Sequence, residues 1–383
     1  MTQVSQDGRP AQQEFEKVLT GATTTVASFE EQRITLLQRL QRFLHAYPTV
    51  VPFVVLILGL LLGMAVNPTR FSAASNLSTV LTQVMVTGIV GIGQTLVILT
   101  AGIDLSIGVI MVISSVVMGR IAVVDGPAFL GDVLQSLHLG VLLPVTPYIL
   151  TPFGFLLGLA CGAFFGWLNG TLVTRLKMPP FIVTLGTLSI IGALNTFYSQ
   201  SETIGMQDIE DKAYFLQIMG NQLSVGDARI MWGTFLLLIV AAVVWYVLNR
   251  TSYGRHVYAT GDDPESARLA GIDTDAVLRS VYIAAGLIAA IAGWALIGRV
   301  GAISPTAGDN ANLDSITAVV IGGTSLFGGR GSIVGTLVGA LIVGVFRSAV
   351  SLAGLDVLWQ EFAIGVLIII AVALDQWIRR VAK

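Results

Sequence analysis

Charge is what this sequence has least of. Only 11% of its 383 residues are Asp, Glu, Lys or Arg, and its mean hydropathy is +0.80. A water-facing domain carries about 25% charge, so this chain has little aqueous surface to cover. A net charge of −2, with no dense basic patch, excludes nucleic acid as a partner. The single cysteine, Cys161, rules out an intrachain disulfide framework and a multi-cysteine metal site. The three histidines, His45, His138 and His256, fall on different segments outside the apolar runs, and no H-E-x-x-H occurs, so no metal or other cofactor is expected on this chain. The glycine runs Gly322-Gly323 and Gly328-Gly329-Arg330-Gly331 contain no G-x-x-x-x-G-K-[ST], and hence no phosphate cradle. No cleavable signal peptide is visible, because about 49 mostly polar residues precede the first apolar run.

What the chain does have is long apolar runs. A membrane-crossing helix needs roughly 17 to 25 such residues. Ten candidates occur, at about 50–66, 77–101, 105–124, 152–174, 180–200, 230–249, 279–298, 315–327, 332–350 and 358–378. The expected fold is therefore an all-α polytopic transmembrane bundle. The run at 315–327 is too short to cross alone and reads as a broken or half-length helix, tolerated where it is buried or lines a cavity. Ten spans put both termini on one side. Thirteen Lys or Arg lie near the spans on that side against six opposite, which places both termini in the cytoplasm. The chain then divides into a cytoplasmic tail (1–49), a transmembrane domain (50–378) and a short cytoplasmic C-terminus (379–383). Phe29–Leu44 carries Leu36, Leu37, Leu40, Phe43 and Leu44 at helical spacing among arginines. It reads either as a basic amphipathic helix on membrane lipid or as a soluble helix capping the bundle. The segment from about Asp125 to Tyr148 is expected to be an extra external segment.

Gly154, Gly158, Gly162, Gly166 and Gly170 form one small stripe along a single helix, and Gly331, Gly335 and Gly339 repeat it. Such stripes let helix backbones approach closely. Packing within the bundle is the stronger reading, a subunit interface the other.

The loop from Thr251 to Leu278 is the most specific stretch. Asp263 suits an N-cap, Pro264 the first helical position, Glu265 the positive end of the dipole, and Gly271 the left-handed position after the last turn. Two turns of helix stopped so deliberately are stable only when docked. Ala267 and Ala270 leave a low-relief face fit for a groove on another protein. Within the apolar runs the polar side chains are Gln94, Asn169 and Asn195, with Asp104 between two runs. Neutral amides suit a pathway for a polyhydroxylated solute, yet for each of them bonding between helices is the stronger reading. Asp104, followed by Leu105-Ser106 and an apolar helix, reads first as an N-cap and second as a substrate contact.

Glu265-Ser266-Ala267-Arg268-Leu269-Ala270-Gly271 resembles the coupling loop of ABC importer permeases. Gly102-Ile103-Asp104-Leu105-Ser106, Trp167-Leu168-Asn169-Gly170, Pro179–Gly186, Pro305-Thr306-Ala307-Gly308 and Ile321–Gly329 are similar, in order, to the ribose/xylose/galactose-type sugar permeases. The resemblance covers about residues 50–378. It implies a bacterial inner-membrane, multi-pass permease subunit that forms the pathway for a monosaccharide, most simply as a homodimer. It also implies a periplasmic sugar-binding protein and a cytoplasmic ATP-binding subunit, which would use the ATP and Mg that this chain cannot hold. Asn312 departs from the family, which commonly has an acidic residue there. A permease for branched-chain amino acids or another small solute is the alternative within the class. A secondary transporter would show paired charges within its spans, and a membrane enzyme would show clustered catalytic groups.

Overall fold

A computed structural model of the protein describes residues 50–379, apart from 141–144 and 309. The N-terminal tail, with its expected amphipathic helix, and the last four residues lie outside the described residues. The first helices are α1 (Val50–Val66), the single turn α2 (Pro68–Phe71), α3 (Ala74–Leu99) and α4 (Ile107–Gly119). A π-helical turn, Arg120–Val124, joins α4 to α5 (Asp125–Ser136). There follow α6 (Thr146–Arg175), α7 (Pro180–Ser199), α8 (Met206–Gln217) and α9 (Trp232–Arg250). The remainder comprises α10 (Ser252–Asp262), α11 (Pro264–Leu269), α12 (Thr274–Val300), α13 (Ala311–Ile321), α14 (Ile333–Leu352) and α15 (Val357–Arg379).

Among the described residues, seven helices are long and apolar enough to cross a membrane: α3, the continuous α4–α5 rod, α6, α7, α9, α12 and α14. Their solvent is lipid. Phe197, at 83% exposure, and Leu61, at 60%, stand outward while Gln94, Thr95, Asn169 and Thr336 are fully buried. Such an exterior would be unfavourable in water but costs nothing in hydrocarbon, where unpaired polar groups are the expensive ones.

The short run near 315 is the 11-residue α13, which stops at Ile321 because Gly322-Gly323 follow, with Gly323 at φ +86°. Three expectations need correction. The helix of the expected 105–124 span does not stop at 124: Asp125 accepts from Arg120 at 2.9 and 3.1 Å and from the Tyr198 hydroxyl at 3.0 Å, and α5 continues the rod of α4 to Ser136. The following span begins at Thr146, before the expected 152, because Pro147 fits the first turn. The bundle also carries one antiparallel hairpin, β1 (Gln222–Val225) and β2 (Ala228–Met231), paired from Gln222↔Met231 to Val225↔Ala228. Gly226 at φ +59° supplies its two-residue turn.

The glycine stripe packs inside the chain. On α6, Gly154 and Gly158 meet the α4 backbone, while Gly162, Gly166 and Gly170 meet α12 at Gly286, Tyr282 and Arg279. A Cβ on Gly170 would lie 2.9 Å from Arg279 Cα, and one on Gly154 would lie 2.7 Å from Met118 O. Gly335 and Gly339 press α14 onto Gly322 and Ala318 in the same way.

Candidate functional site

Two knots of structure gather the motifs that the sequence scatters over some 230 residues. The first surrounds Asp104. After α3 the chain turns back into the bundle: Ala101 N–H donates to Ile98 O at 2.9 Å and Gly102 N–H to Val97 O at 3.1 Å. This is a left-handed helix stop with Ala101, at φ +60°, where glycine is usual. The turn brings Asp104 beside Gln94, whose amide, in the orientation that satisfies both atoms, donates to Asp104 O at 3.1 Å and accepts from Asp104 N at 3.2 Å. Asp104 Oδ1 accepts from the Ser106 N–H at 2.8 Å and from the Ser106 hydroxyl at 2.6 Å. Asn169 Nδ2 donates to that same hydroxyl at 2.8 Å. Thr184 Oγ1, in the Pro179–Gly186 segment, donates to Ile103 O at 3.0 Å. Gln94, Asp104 and Asn169 thus meet, whereas Asn195 lies apart and donates to Pro305 O at 2.8 Å. The carbonyl oxygens of Asn169 and Asn195 have no protein partner.

The second knot is at the loop between α9 and α12. Asp263 caps α11, accepting from Glu265 N at 3.0 Å and Ser266 N at 3.1 Å, and from the Ser266 hydroxyl at 2.5 Å. Those bonds, the hydroxyl's first, hold the Asp263 carboxyl below the usual carboxylate range. Pro264 opens the helix with Glu265 in its first turn. At its end Gly271, at φ +87°, donates to Arg268 O at 2.9 Å, and Ile272 N donates to Ala267 O at 3.0 Å. Every local expectation for this loop is present in the backbone. The face that the helix leaves exposed differs from the expected one. Ala267, 4% exposed, points into the chain, while Leu269, 86% exposed, stands out beside exposed Ala270. The reason is the cap geometry: the bond from Ile272 folds the chain back over Ala267, leaving the opposite side free.

This loop is tied to the glycine-rich segment after α13. The Tyr258 hydroxyl donates to Gly331 O at 2.9 Å, and the same segment is held to the end of α3, where Gly329 N–H donates to Leu99 O at 2.9 Å. Burial raises the Tyr258 hydroxyl above its ordinary value, so it stays a donor. A Cβ on Gly261 would fall on Leu99 O, so only glycine fits there. Tyr258, Gly261 and Leu269 were not singled out in the sequence, since nothing local marks them.

Asp104 is also not the only charge set among apolar segments. Arg347, within α14, donates to Asp314 of α13 at 2.7 Å. Asn312 Oδ1 accepts from Gly108 N at the start of α4, at 2.5 Å. Arg347 lies inside an apolar run and was a readable signal.

The chain is similar to known proteins along most of its length. Residues 76–372 match the family model described as branched-chain amino acid transport system / permease component. The fructose import permease protein FrcC of Rhizobium meliloti is 52% identical over 372 residues, 97% of each chain. The ribose import permease protein RbsC of Bacillus subtilis is 35% identical over 85% of this chain and 92% of its own. The galactose/methyl galactoside import permease protein MglC of Escherichia coli is 32% identical over 84% and 92%. No solved structure matches the chain.

Proposed function

This chain belongs to the family of ABC-importer permease subunits, non-catalytic multi-pass components of the bacterial inner membrane, and on that premise we propose that it forms the pathway for a monosaccharide of the fructose type. The observation that carries the substrate is the likeness to a fructose import permease over 97% of both chains. A periplasmic binding protein delivers the sugar, and a separate cytoplasmic subunit binds ATP and Mg. That subunit docks on the loop within 251–278, where Asp263, Pro264, Glu265 and Gly271 shape a short helix and Leu269 with Ala270 offers the contact. Ala267 holds the helix to its own chain. The permease works as a homodimer, with ten spans within 50–378 and both termini in the cytoplasm, α1, α13 and α15 completing the seven long spans.

Gln94, Asp104, Asn169 and Asn195 shape the pathway from behind, by fixing the turns that α4 and α7 pack on. Their hydrogen bonds to neighbouring elements support that role over direct sugar contact. The name of the matching family favours a second reading, import of branched-chain amino acids. Vesicles holding the permease, its ATP-binding subunit and its binding protein decide between them: ATP-dependent fructose uptake without leucine uptake is expected, and the reverse would overturn the sugar reading. The permease alone is expected to hydrolyse no ATP. Reporters fused after Lys383 and within 201–228 are expected on opposite sides of the membrane; finding both on one side removes the ten-span topology.

A further inference from the structure

A cavity of about 450 Å³ opens between α2, the start of α3 and the end of α14. Its wall is mostly polar, with Arg70, Ser75, Asn76, Thr79, Ser348 and Ser351 among the lining residues. Three of these hold the wall together. The Ser348 hydroxyl donates to Asn76 Oδ1 at 2.5 Å, the Asn76 amide to Phe71 O at 2.9 Å, and the Thr79 hydroxyl to Ser75 O at 3.0 Å. The other three, Arg70, Ser75 and Ser351, are exposed, and their side chains make no hydrogen bond to another described residue. No carboxylate lines the cavity, and Arg70 takes no part in the ion pairs among the described residues. The cavity thus holds one unanswered positive charge, with a free hydroxyl on each of two helices beside it.

Its place in the fold says what meets it. The turn α2 folds back on α1, with the Phe71 ring so close to Gly63 that a Cβ there would overlap it. The last turns of α1 present Leu61, Leu62, Met64 and Val66 outward. Those side chains face acyl chains, so Arg70 stands where α1 leaves the hydrocarbon. A guanidinium flanked by hydroxyls is a donor set for phosphate, whose oxygens accept from several directions. We propose that this cavity binds a phosphate group, supplied by an anionic membrane lipid whose chains lie along α1. Arg70 pairs with the phosphate, and Ser75 and Ser351 donate to its oxygens. A neutral sugar would leave the charge of Arg70 unanswered, and a bilayer brings lipid phosphate to this depth. The bound headgroup then ties α2, α3 and α14 together at one end of the bundle.

The test titrates the full chain, in neutral detergent, with phosphatidylglycerol. Diacylglycerol of the same chain length is the neutral comparison, and inorganic phosphate the soluble one. Arg70→Gln is expected to weaken phosphatidylglycerol binding about tenfold, the worth of one charged hydrogen bond, and to leave diacylglycerol binding alone. Ser75→Ala combined with Ser351→Ala is expected to act in the same direction by a smaller factor. Phosphatidylglycerol is also expected to raise the thermal midpoint of the parent and not that of Arg70→Gln. A merely structural Arg70 would lower the midpoint equally with either lipid. Equal affinity of parent and Arg70→Gln for phosphatidylglycerol overturns the proposal. Should Arg70→Gln fail to fold, the serine pair decides. If inorganic phosphate displaces the lipid at equal concentration, the group bound is free phosphate and the lipid assignment falls.

Discussion

Asp104 and Asp314 look alike at first: each is a buried carboxylate near the start of an apolar helix. Their surroundings divide them. Asp104 takes two bonds at one oxygen from Ser106, two residues along its own chain, and Gln94 clamps its backbone on both sides. Asp314 takes its partner from another helix, Arg347 of α14. The first arrangement holds a turn, and the second ties two helices together. A buried charge in a membrane protein thus indicates a role, but only its partners in space say which.

The sharpest way to break this contrast is Asp104→Leu. It would strand the Ser106 N–H and hydroxyl in the interior, at a cost of about 3 kcal/mol or more. The expected result is a large loss of folded, inserted permease in a thermal or detergent challenge, with Asp104→Asn milder because an acceptor remains. If Asp104→Leu inserts and resists heat like the parent, the turn does not depend on this carboxylate. Next in size is Gly261→Ala. A Cβ pressed on Leu99 O forces the loop and the glycine-rich segment apart, at about 1–3 kcal/mol. Insertion is expected to survive while binding-protein-stimulated ATP hydrolysis is lost, and Gly131→Ala, with open space around it, serves as the control.

A smaller effect is expected from Leu269→Asp, which leaves the caps of α11 intact and changes only the outward face. Loss of one well-exposed apolar anchor is worth about tenfold in affinity for the ATP-binding subunit, measurable by co-purification. Undiminished affinity would remove Leu269 from the contact. The least change comes from pH. Because the Asp263 carboxyl is held below its usual range in the folded loop, its contribution is present above the unfolded value. It is lost as pH falls through the folded one. Hydrogen exchange across 263–272 is therefore expected to stay slow at neutral pH and to rise only in acid, and Asp263→Ala is expected to abolish that dependence. A loop whose exchange ignores both acid and the substitution is not held by this cap.

The helical bundle and the capped loop were legible because both are written locally. Apolar runs of membrane length, a Pro after an Asp, and a Gly after two turns act on their immediate neighbours, and the structure carries each of them. Span ends were less legible: α5 continues α4 through the Arg120–Asp125–Tyr198 contact, which joins residues up to 78 apart. The inward turn of Ala267 was hidden for a related reason, since the bond that covers it belongs to the helix stop and not to the helix.

By itself, then, the sequence determined the solvent of this protein, its helical bundle, the caps of the 263–271 loop and its family. These depend on composition and on contacts within about one helical turn. Only the tertiary structure decided which polar groups are spent and which are free. Gln94 proved to be bonded across elements at both amide atoms, while Asn169 and Asn195 each proved to have one bonded and one unpartnered atom. The physical reason is that a hydrogen-bond valence is satisfied by whatever lies within about 3 Å, and in this chain those neighbours come from helices far apart in sequence.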